Sequence, residues 1–599
     1  MAKKEPSQPV YSMKVEGRDI MVPMRDGVRL AVDVYRPDAE GRFPALLAFA
    51  YHNKFLQGPE LSEACRNQPA WAPLWCGAAE AGDTTFLTSR GYVHVIGNVR
   101  GHGNSEAGDP RKEGRTDAYD LIEWIARQPW CDGNVGTIGL SSFGRSQIVA
   151  ALSRPPHLKA IFPFDPGSPF LKYQHPGAVI HTMSYQMAKS AVENPKEVKL
   201  TPEEEKLWEK AMKNPDYRMY PNILNLLQRR GKMPLKDRLF DILIDPYERE
   251  DAEEIDEESI KKLNIPFYTG SGWYAYPFKG HLFGSLHYWQ KYNNTPFKKL
   301  LLDGPAIHPR PWIDFHDELL RWYDYWLKGI DTGIQDEPRV KIWVMGANRW
   351  RYADDWPLPE TQWTKLYLDS WERLRWNPFT PSSRDGVEAP DSFLQMPLSQ
   401  TRTVQKLRYV TDPLPHDLEV TGPLSLHLWA EIDQKDTNWI IVLRDLGPDV
   451  SVQSAREGEF ERPPVFDREI TRGWLKASHR AVDEKKSLPG QPFHPLTRSA
   501  QKPVRPGEIN RYDIEIAPTS NVFKRDHRIC LDITAMDVPT GVYGAASVEY
   551  IPYHVCSSKT TVHKIYRCQK YPSYLLLPII PETPNPSPAR KKEGVKKLK

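Results

Sequence analysis

The hydrophobic rhythm of the chain changes near residue 360, and that change restricts the fold more than any other feature. Before it, short apolar runs at residues 44–50 (PALLAFA), 93–96 and 135–139 are separated by helical patterns such as residues 117–126 (DAYDLIEWIA). A strand buried on both faces reads as an unbroken apolar run, and strands alternating with helices pack as a parallel α/β sheet. Residues 19–24 and 29–35 flank Arg25-Asp26-Gly27, a turn signal, and read as an entry hairpin. The α/β rhythm returns at residues 265–270 and 299–302, followed by a helix over 317–328. That helix has acids in its first turn, Lys328 in its last and Gly329 as its stop, as the helix dipole and an open C-terminus require.

Between the two α/β stretches, residues 166–245 are charged and helical in pattern. Thr201-Pro202-Glu203-Glu204 reads as a capping box with proline at the first helical position, so an inserted helical cap is expected. After residue 360 apolar and polar residues alternate, as in Leu424-Ser425-Leu426-His427-Leu428-Trp429 and Tyr512-Asp513-Ile514-Glu515-Ile516. Residues 529–534 and 562–566 continue the alternation, which predicts an all-β sandwich of jelly-roll kind.

A chain of 599 residues is too long for one core, since cores stop growing near ~250–300 residues. The patterns divide it into an α/β core (18–165 and 246–355), a helical cap (166–245), a jelly-roll domain (360–582) and a basic flexible tail (583–599). A net charge of +3 calls for neither nucleic acid nor an anionic membrane surface as partner. No apolar run approaches the ~20 residues of a membrane helix, and the N-terminal segment lacks the apolar stretch of a secretory signal. Cysteines 65, 76, 131, 530, 556 and 568 show no Cys-x-x-Cys spacing, which leaves zinc and dithiol redox chemistry unsupported. A reducing, cytoplasmic setting is expected. No ligand-spaced cluster or phosphate loop suggests a metal or another cofactor, and the acidic residues 251–258 read as a solvated face.

The chemistry-bearing run is Gly139-Leu140-Ser141-Ser142-Phe143-Gly144, between an expected strand and an expected helix over 145–153. A serine there sits on a sharp strand-to-helix turn, with small residues letting the backbones approach, and the helix N-terminus favours a developing oxyanion. The run departs from strict G-x-S-x-G because Gly144 comes one position late. A plain polar loop at a helix start would read similarly, so its surroundings matter. Asn98-Val99-Arg100-Gly101-His102-Gly103-Asn104-Ser105 precedes it, and Gln128-Pro129-Trp130-Cys131-Asp132-Gly133-Asn134-Val135-Gly136 leads into it. Leu320-Arg321-Trp322-Tyr323-Asp324-Tyr325-Trp326-Leu327-Lys328-Gly329 follows later, then Arg505-Pro506-Gly507-Glu508 and Pro518-Thr519-Ser520-Asn521-Val522-Phe523.

Together these resemble the cocaine esterase-like (CocE/NonD) hydrolases, a family that takes in X-Pro dipeptidyl-peptidases and α-amino-acid ester hydrolases. The resemblance covers roughly residues 20–580 and implies an α/β-hydrolase core with a cap and a jelly-roll domain. It implies Ser141 as nucleophile in the family's G-x-S-aromatic-x-G run, with Ser142 standing where the aromatic is usual and remaining a rival nucleophile. It implies oxyanion donors from the Ser142 N–H and the Tyr51 hydroxyl, and a general base at His308 in Gly304-Pro305-Ala306-Ile307-His308. Trp273, Tyr274 and Tyr276 are expected to line the substrate site. His52 and His102 read as structural.

One position departs from the family. Its acid lies in a G-W-x-D run, and Gly272-Trp273-Tyr274-Ala275 carries alanine there. Without a carboxylate nothing orients the imidazole, a loss of about 10⁴-fold in serine proteases. Asp165, at the expected end of the strand after the nucleophile turn, is the favoured replacement. Asp303, on the same strand as the base, is the other candidate, and weakened or lost activity is the third reading. The leading function is hydrolysis of a small-molecule ester or amide through an acyl-enzyme. Acyl transfer on the same scaffold is the alternative, and a silent binding protein, motivated by Ala275 and Asn98, is another. A homo-oligomer is possible in such enzymes, with no specific signal for it here.

Overall fold

The computed structural model describes residues 4–60, 80–107, 115–167, 175–181, 200–228, 238–248, 257–274, 279–304, 315–378, 389–401, 403–448, 466–537 and 554–581. Its first sheet comprises β1 (Met13–Pro23), β2 (Arg29–Pro37), β3 (Phe43–Ala50), β4 (Val93–Asn98), β5 (Cys131–Thr137), β6 (Leu158–Ile161), β7 (Phe267–Gly272), β8 (Lys298–Asp303), β9 (Val340–Val344) and β10 (Arg349–Ala353). The strand order is β1-β2-β4-β3-β5-β6-β7-β8-β9-β10. From β4 through β9 in that order the strands run parallel, β2 and β10 run antiparallel to them, and β1 pairs antiparallel with β2.

The unbroken apolar run in β3 follows from burial on both faces. Ala45, Leu47 and Phe49 pack into one core with Leu121, Ile122 and Ile125 of α2 (Arg115–Ala126) and Ile148 of α3 (Ser142–Ser153), while α1 (Thr84–Ser89) precedes β4. Leu46, Ala48 and Ala50 pack into the opposite core. There they meet Leu319, Leu320, Trp322 and Tyr323 of the last helix of this region, His316–Lys328, which ends at Gly329 in the left-handed conformation. The entry hairpin also forms, closed by Met24 and Val28.

Helices α4 (Pro202–Met212), α5 (Pro221–Gln228) and α6 (Arg238–Ile244) lie in the segment expected as a cap. The Thr201 capping box closes as the sequence requires: Thr201 accepts the Glu204 N–H, and the Glu204 carboxylate takes the Thr201 N–H. These helices bury Ile223, Leu227, Phe240 and Leu243 against Met536, Val555 and Cys556 of the all-β region. Two further helices, α7 (Glu257–Lys261) and α8 (Gly280–Lys291), precede the final helix, α9 (His316–Lys328).

The C-terminal region is an eleven-stranded sheet. Its long strand Leu418–Ile432 pairs with Asn510–Phe523 and also with Tyr574–Ile580 from the far end of the strand order, so the sheet closes into a barrel. Leu424, Leu426, Leu428, Ile514 and Ile516 fill it. The same core continues through Trp273, Leu286, Trp289 and Ile342 of the α/β region, so the two are joined by a continuous apolar junction.

Tyr220 fastens the helical segment to the barrel: its hydroxyl donates to the His554 carbonyl and accepts the Cys556 N–H, each at 3.0 Å. Removing a buried hydroxyl and stranding both partners costs about 1–3 kcal/mol. Tyr220→Phe is expected to lower the urea midpoint accordingly while leaving hydrolysis of a small test ester nearly unchanged. An unaltered midpoint would show that this contact does not fasten the cap.

Candidate active site

The strand expected over 135–139 ends at Thr137, and the helix expected from residue 145 begins at Ser142. Only residues 138–141 lie between them, so the whole reversal falls there. Ser141 takes it up with φ 57° and ψ −117°, a region that non-glycine residues enter at a cost of roughly 1–3 kcal/mol. Such strain persists only where surrounding contacts fix it. The Ser141 N–H donates to the Phe164 carbonyl at 3.1 Å, and the Leu140 N–H to the Glu80 carbonyl at 3.0 Å. The two glycines of the motif make room for this. A Cβ on Gly139 would lie 2.4 Å from the Phe143 Cβ, and one on Gly144 would lie 2.5 Å from the Phe164 carbonyl oxygen.

Asp165 comes from the adjoining strand end. Phe164 forms parallel bridges with Leu140 on one side and Gly270 on the other. The Asp165 N–H then donates to the Gly270 carbonyl at 2.8 Å, and the residue adopts φ 47°. Its carboxylate is fully buried and accepts the Ser271 hydroxyl at 2.5 Å. Tyr51 directly follows β3, the strand beside β5, so its half-exposed ring shares the carboxyl edge of the sheet with Ser141 and Asp165. The Ser142 N–H belongs to the first turn of α3, whose amides have no acceptor within the helix. The Ser142 hydroxyl is enclosed and has no hydrogen-bond partner among the described residues.

Trp273 is completely buried, with its indole N–H donating to the Trp343 carbonyl at 2.8 Å. Tyr274 donates to the Glu469 carbonyl at 2.5 Å. Both side chains thus lie at the junction with the barrel. His308, Tyr276 and Ala275 lie outside the described residues. Asp303 ends β8, beside Gly272 of β7 in register.

Two groups near the site, Gln147 and Lys279, escaped the sequence reading, and a third, His52, was read only as structural. Gln147 is buried on α3 and joins the helix to two strand ends: its amide donates to the Gly139 and Phe162 carbonyls at 2.9 and 3.0 Å and accepts the Phe162 N–H at 2.8 Å. An amide in the otherwise apolar run Gln147-Ile148-Val149-Ala150 is the signal that could have found it. His52 lies 3.5 Å from the buried Glu80 carboxylate, whose backbone holds Leu140. Lys279, at the start of α8, is buried with its ammonium group on the Trp273 carbonyl and 4.4 Å over the Tyr274 ring. Desolvation pushes its pKa down to about 7.

Sequence and structure together define a serine hydrolase on an α/β sheet, with an all-β domain behind it. Residues 26–310 match the X-Pro dipeptidyl-peptidase (S15 family), and residues 332–576 match the X-Pro dipeptidyl-peptidase C-terminal non-catalytic domain. The cocaine esterase of Rhodococcus sp. (strain MB1 Bresler) is 26% identical over 624 residues, taking in 94% of this chain and 98% of the esterase. A CocE/NonD family hydrolase from Staphylococcus aureus superposes with a TM-score of 0.68 at 20% identity, covering 95% of this chain and 93% of the other. An α-amino-acid ester hydrolase does so with a TM-score of 0.68 at 16% identity, covering 97% and 98%. The chain carries both X-Pro dipeptidyl-peptidase domains, is similar to the cocaine esterase, and is a serine hydrolase of ester or amide bonds. Among the described residues no helix is long and apolar enough to cross a membrane.

Gly144→Ala drives a methyl into the carbonyl that holds the Ser141 amide, and overpacking of this kind costs about 1–3 kcal/mol. The variant is expected to melt earlier and to lose most esterase activity; wild-type behaviour in both would show that the approach is not required. Lys279 generates a pH signature. Its folded pKa of about 7 lies below the ordinary 10.5, so the unfolded chain binds more protons between those values and stability rises with pH across that window. Lys279→Met should therefore gain most in melting temperature below pH ~7, with the gain shrinking toward the ordinary lysine range. A gain independent of pH would contradict this.

Proposed function

We propose that this chain is a carboxylic ester hydrolase that works through an acyl-enzyme on Ser141. The observation that carries the reading is the strained Ser141 backbone, tied to the strand end that delivers a buried carboxylate. The Ser141 Oγ attacks the ester carbonyl carbon while His308 takes its proton. The Tyr51 hydroxyl and the Ser142 N–H hold the resulting oxyanion. The carbon–oxygen bond to the alcohol breaks as His308 returns the proton to the leaving oxygen. Water, deprotonated by the same imidazole, then releases the acid and restores the serine.

Asp165 serves as the acid that orients His308, in place of the carboxylate missing at Ala275. The Ser271 hydroxyl fixes the rotamer of Asp165. Trp273 and Tyr274 brace the pocket wall from behind, and Tyr276 is given to the substrate site by the family resemblance. The helical cap over 166–245 and the barrel over 360–582, read as a jelly-roll, close the acyl side around a small molecule. Ester cleavage ranks above X-Pro peptide cleavage because no acidic site for a substrate amine is assigned among the described residues.

Labelling with a fluorophosphonate and mapping the adduct by peptide mass tests the nucleophile. One adduct per chain on Ser141 is expected, lost in Ser141→Ala and kept in Ser142→Ala. An adduct on Ser142 would reassign the nucleophile, and no adduct on either serine would remove the hydrolytic reading.

A further inference from the structure

Tyr51 can hold an oxyanion only if its backbone is fixed, because it lies at a strand end with a half-exposed ring. The fixing group is the side-chain amide of Asn98. Asn98 closes β4, is fully buried, and lies in register with Ala50 of β3. Its Nδ2 donates to the Ala50 carbonyl at 3.2 Å and to the His52 carbonyl at 2.6 Å, so one NH₂ group grips the residues on either side of Tyr51. Its Oδ1 accepts the Lys54 N–H at 3.2 Å.

Lys54 is itself immobilised. Its buried ammonium group pairs with Asp33 at 2.6 Å and Asp19 at 2.8 Å. The loop that follows β4 closes over the amide from the other side: the Ser105 hydroxyl donates to the Asn98 carbonyl at 2.8 Å, and a Cβ at Gly103 would lie 2.3 Å from the Asn98 Oδ1.

We infer that Asn98 is a positioning residue for the Tyr51 hydroxyl, acting through the backbone on both sides of that tyrosine. This rests on the reading of Tyr51 as an oxyanion donor. The residue type follows from the partners. Two carbonyl oxygens face one end of the side chain and an N–H faces the other, so only a group with both a double donor and an acceptor satisfies all of them. A carboxylate of the same shape would set oxygen against oxygen at Ala50 and His52. Asn98 therefore serves catalysis, although at the level of sequence it suggested a silent protein.

The test is a double-mutant cycle on the whole chain with a p-nitrophenyl ester, reading kcat and KM separately. Tyr51→Phe removes one oxyanion donor and should lower kcat by about 10²–10³ with little change in KM. Asn98→Asp should lower kcat by about 10–10², again with KM nearly kept, because a misplacement near 1 Å has that effect. In the Tyr51→Phe background the second substitution should add almost nothing, a non-additivity that general loosening of the fold would not produce. Should Asn98→Asp lose its cooperative melting transition, Gly103→Ala, which presses on the same amide, takes its place in the cycle with the same expected non-additivity. A Tyr51→Phe enzyme with wild-type kcat would overturn the oxyanion reading itself. If Tyr51→Phe is impaired while the substitution at 98 or 103 has no effect, or multiplies fully with Tyr51→Phe, the positioning role is overturned.

Discussion

The Phe164 carbonyl receives the Ser141 N–H, and the next peptide bond sends the Asp165 N–H to Gly270. Those two backbone hydrogen bonds tie the ends of three neighbouring strand paths at the carboxyl edge of the sheet. Without them the Ser141 turn would have no reason to stay in its strained conformation, and Asp165 would have no fixed relation to it. Both residues have positive φ, and the backbone of each is held by a neighbour's backbone. A strained residue survives where its surroundings over-determine it, and the surroundings here are rigid. Gln147 binds the same strand ends from behind, and two apolar cores press on opposite faces of the sheet.

Rigidity at that edge is also what the proposed exchange of the acid requires. In an open parallel sheet the ends of adjacent strands project into one crevice, so a carboxylate can reach it from more than one strand. Asp165 leaves the strand path between Ser141 and β7, and its hydrogen bond from Ser271 comes from the very strand that precedes Ala275. The strand that precedes Ala275 thus contributes the hydroxyl that holds Asp165, the proposed acid. The barrel contributes less directly: Trp273 and Tyr274 are bonded to carbonyls at its junction, which anchors the loop root beside the site.

Much of this was legible in the residues. The alternation of β3 between two cores, the capping box at Thr201, the stop at Gly329 and the change to an all-β region each leave a local pattern. The boundaries near Ser141 were less legible, because a helix beginning directly at Ser142 replaces the loop that polar residues there suggest. Asp165 could be proposed from strand order alone, but not its contact with Ser271, which lies 106 positions away. Asn98 was misleading. Its identity only acquires meaning once Ala50, His52 and Lys54 are seen around it, and pairings across β3 and β4 leave no periodic trace. Trp273 and Tyr274 were read as lining, whereas aromatic residues that fill a junction have the same sequence appearance as those that face a ligand.

Steady-state hydrolysis by Asp165→Asn beside Asp303→Asn decides whether Asp165 has taken over the orienting role. Asp165→Asn is expected to lose about 10⁴-fold in kcat while remaining folded, as removal of the orienting carboxylate does in serine proteases, and Asp303→Asn to stay near wild type. An Asp165→Asn enzyme with nearly full activity, or the large loss appearing in Asp303→Asn instead, would contradict it.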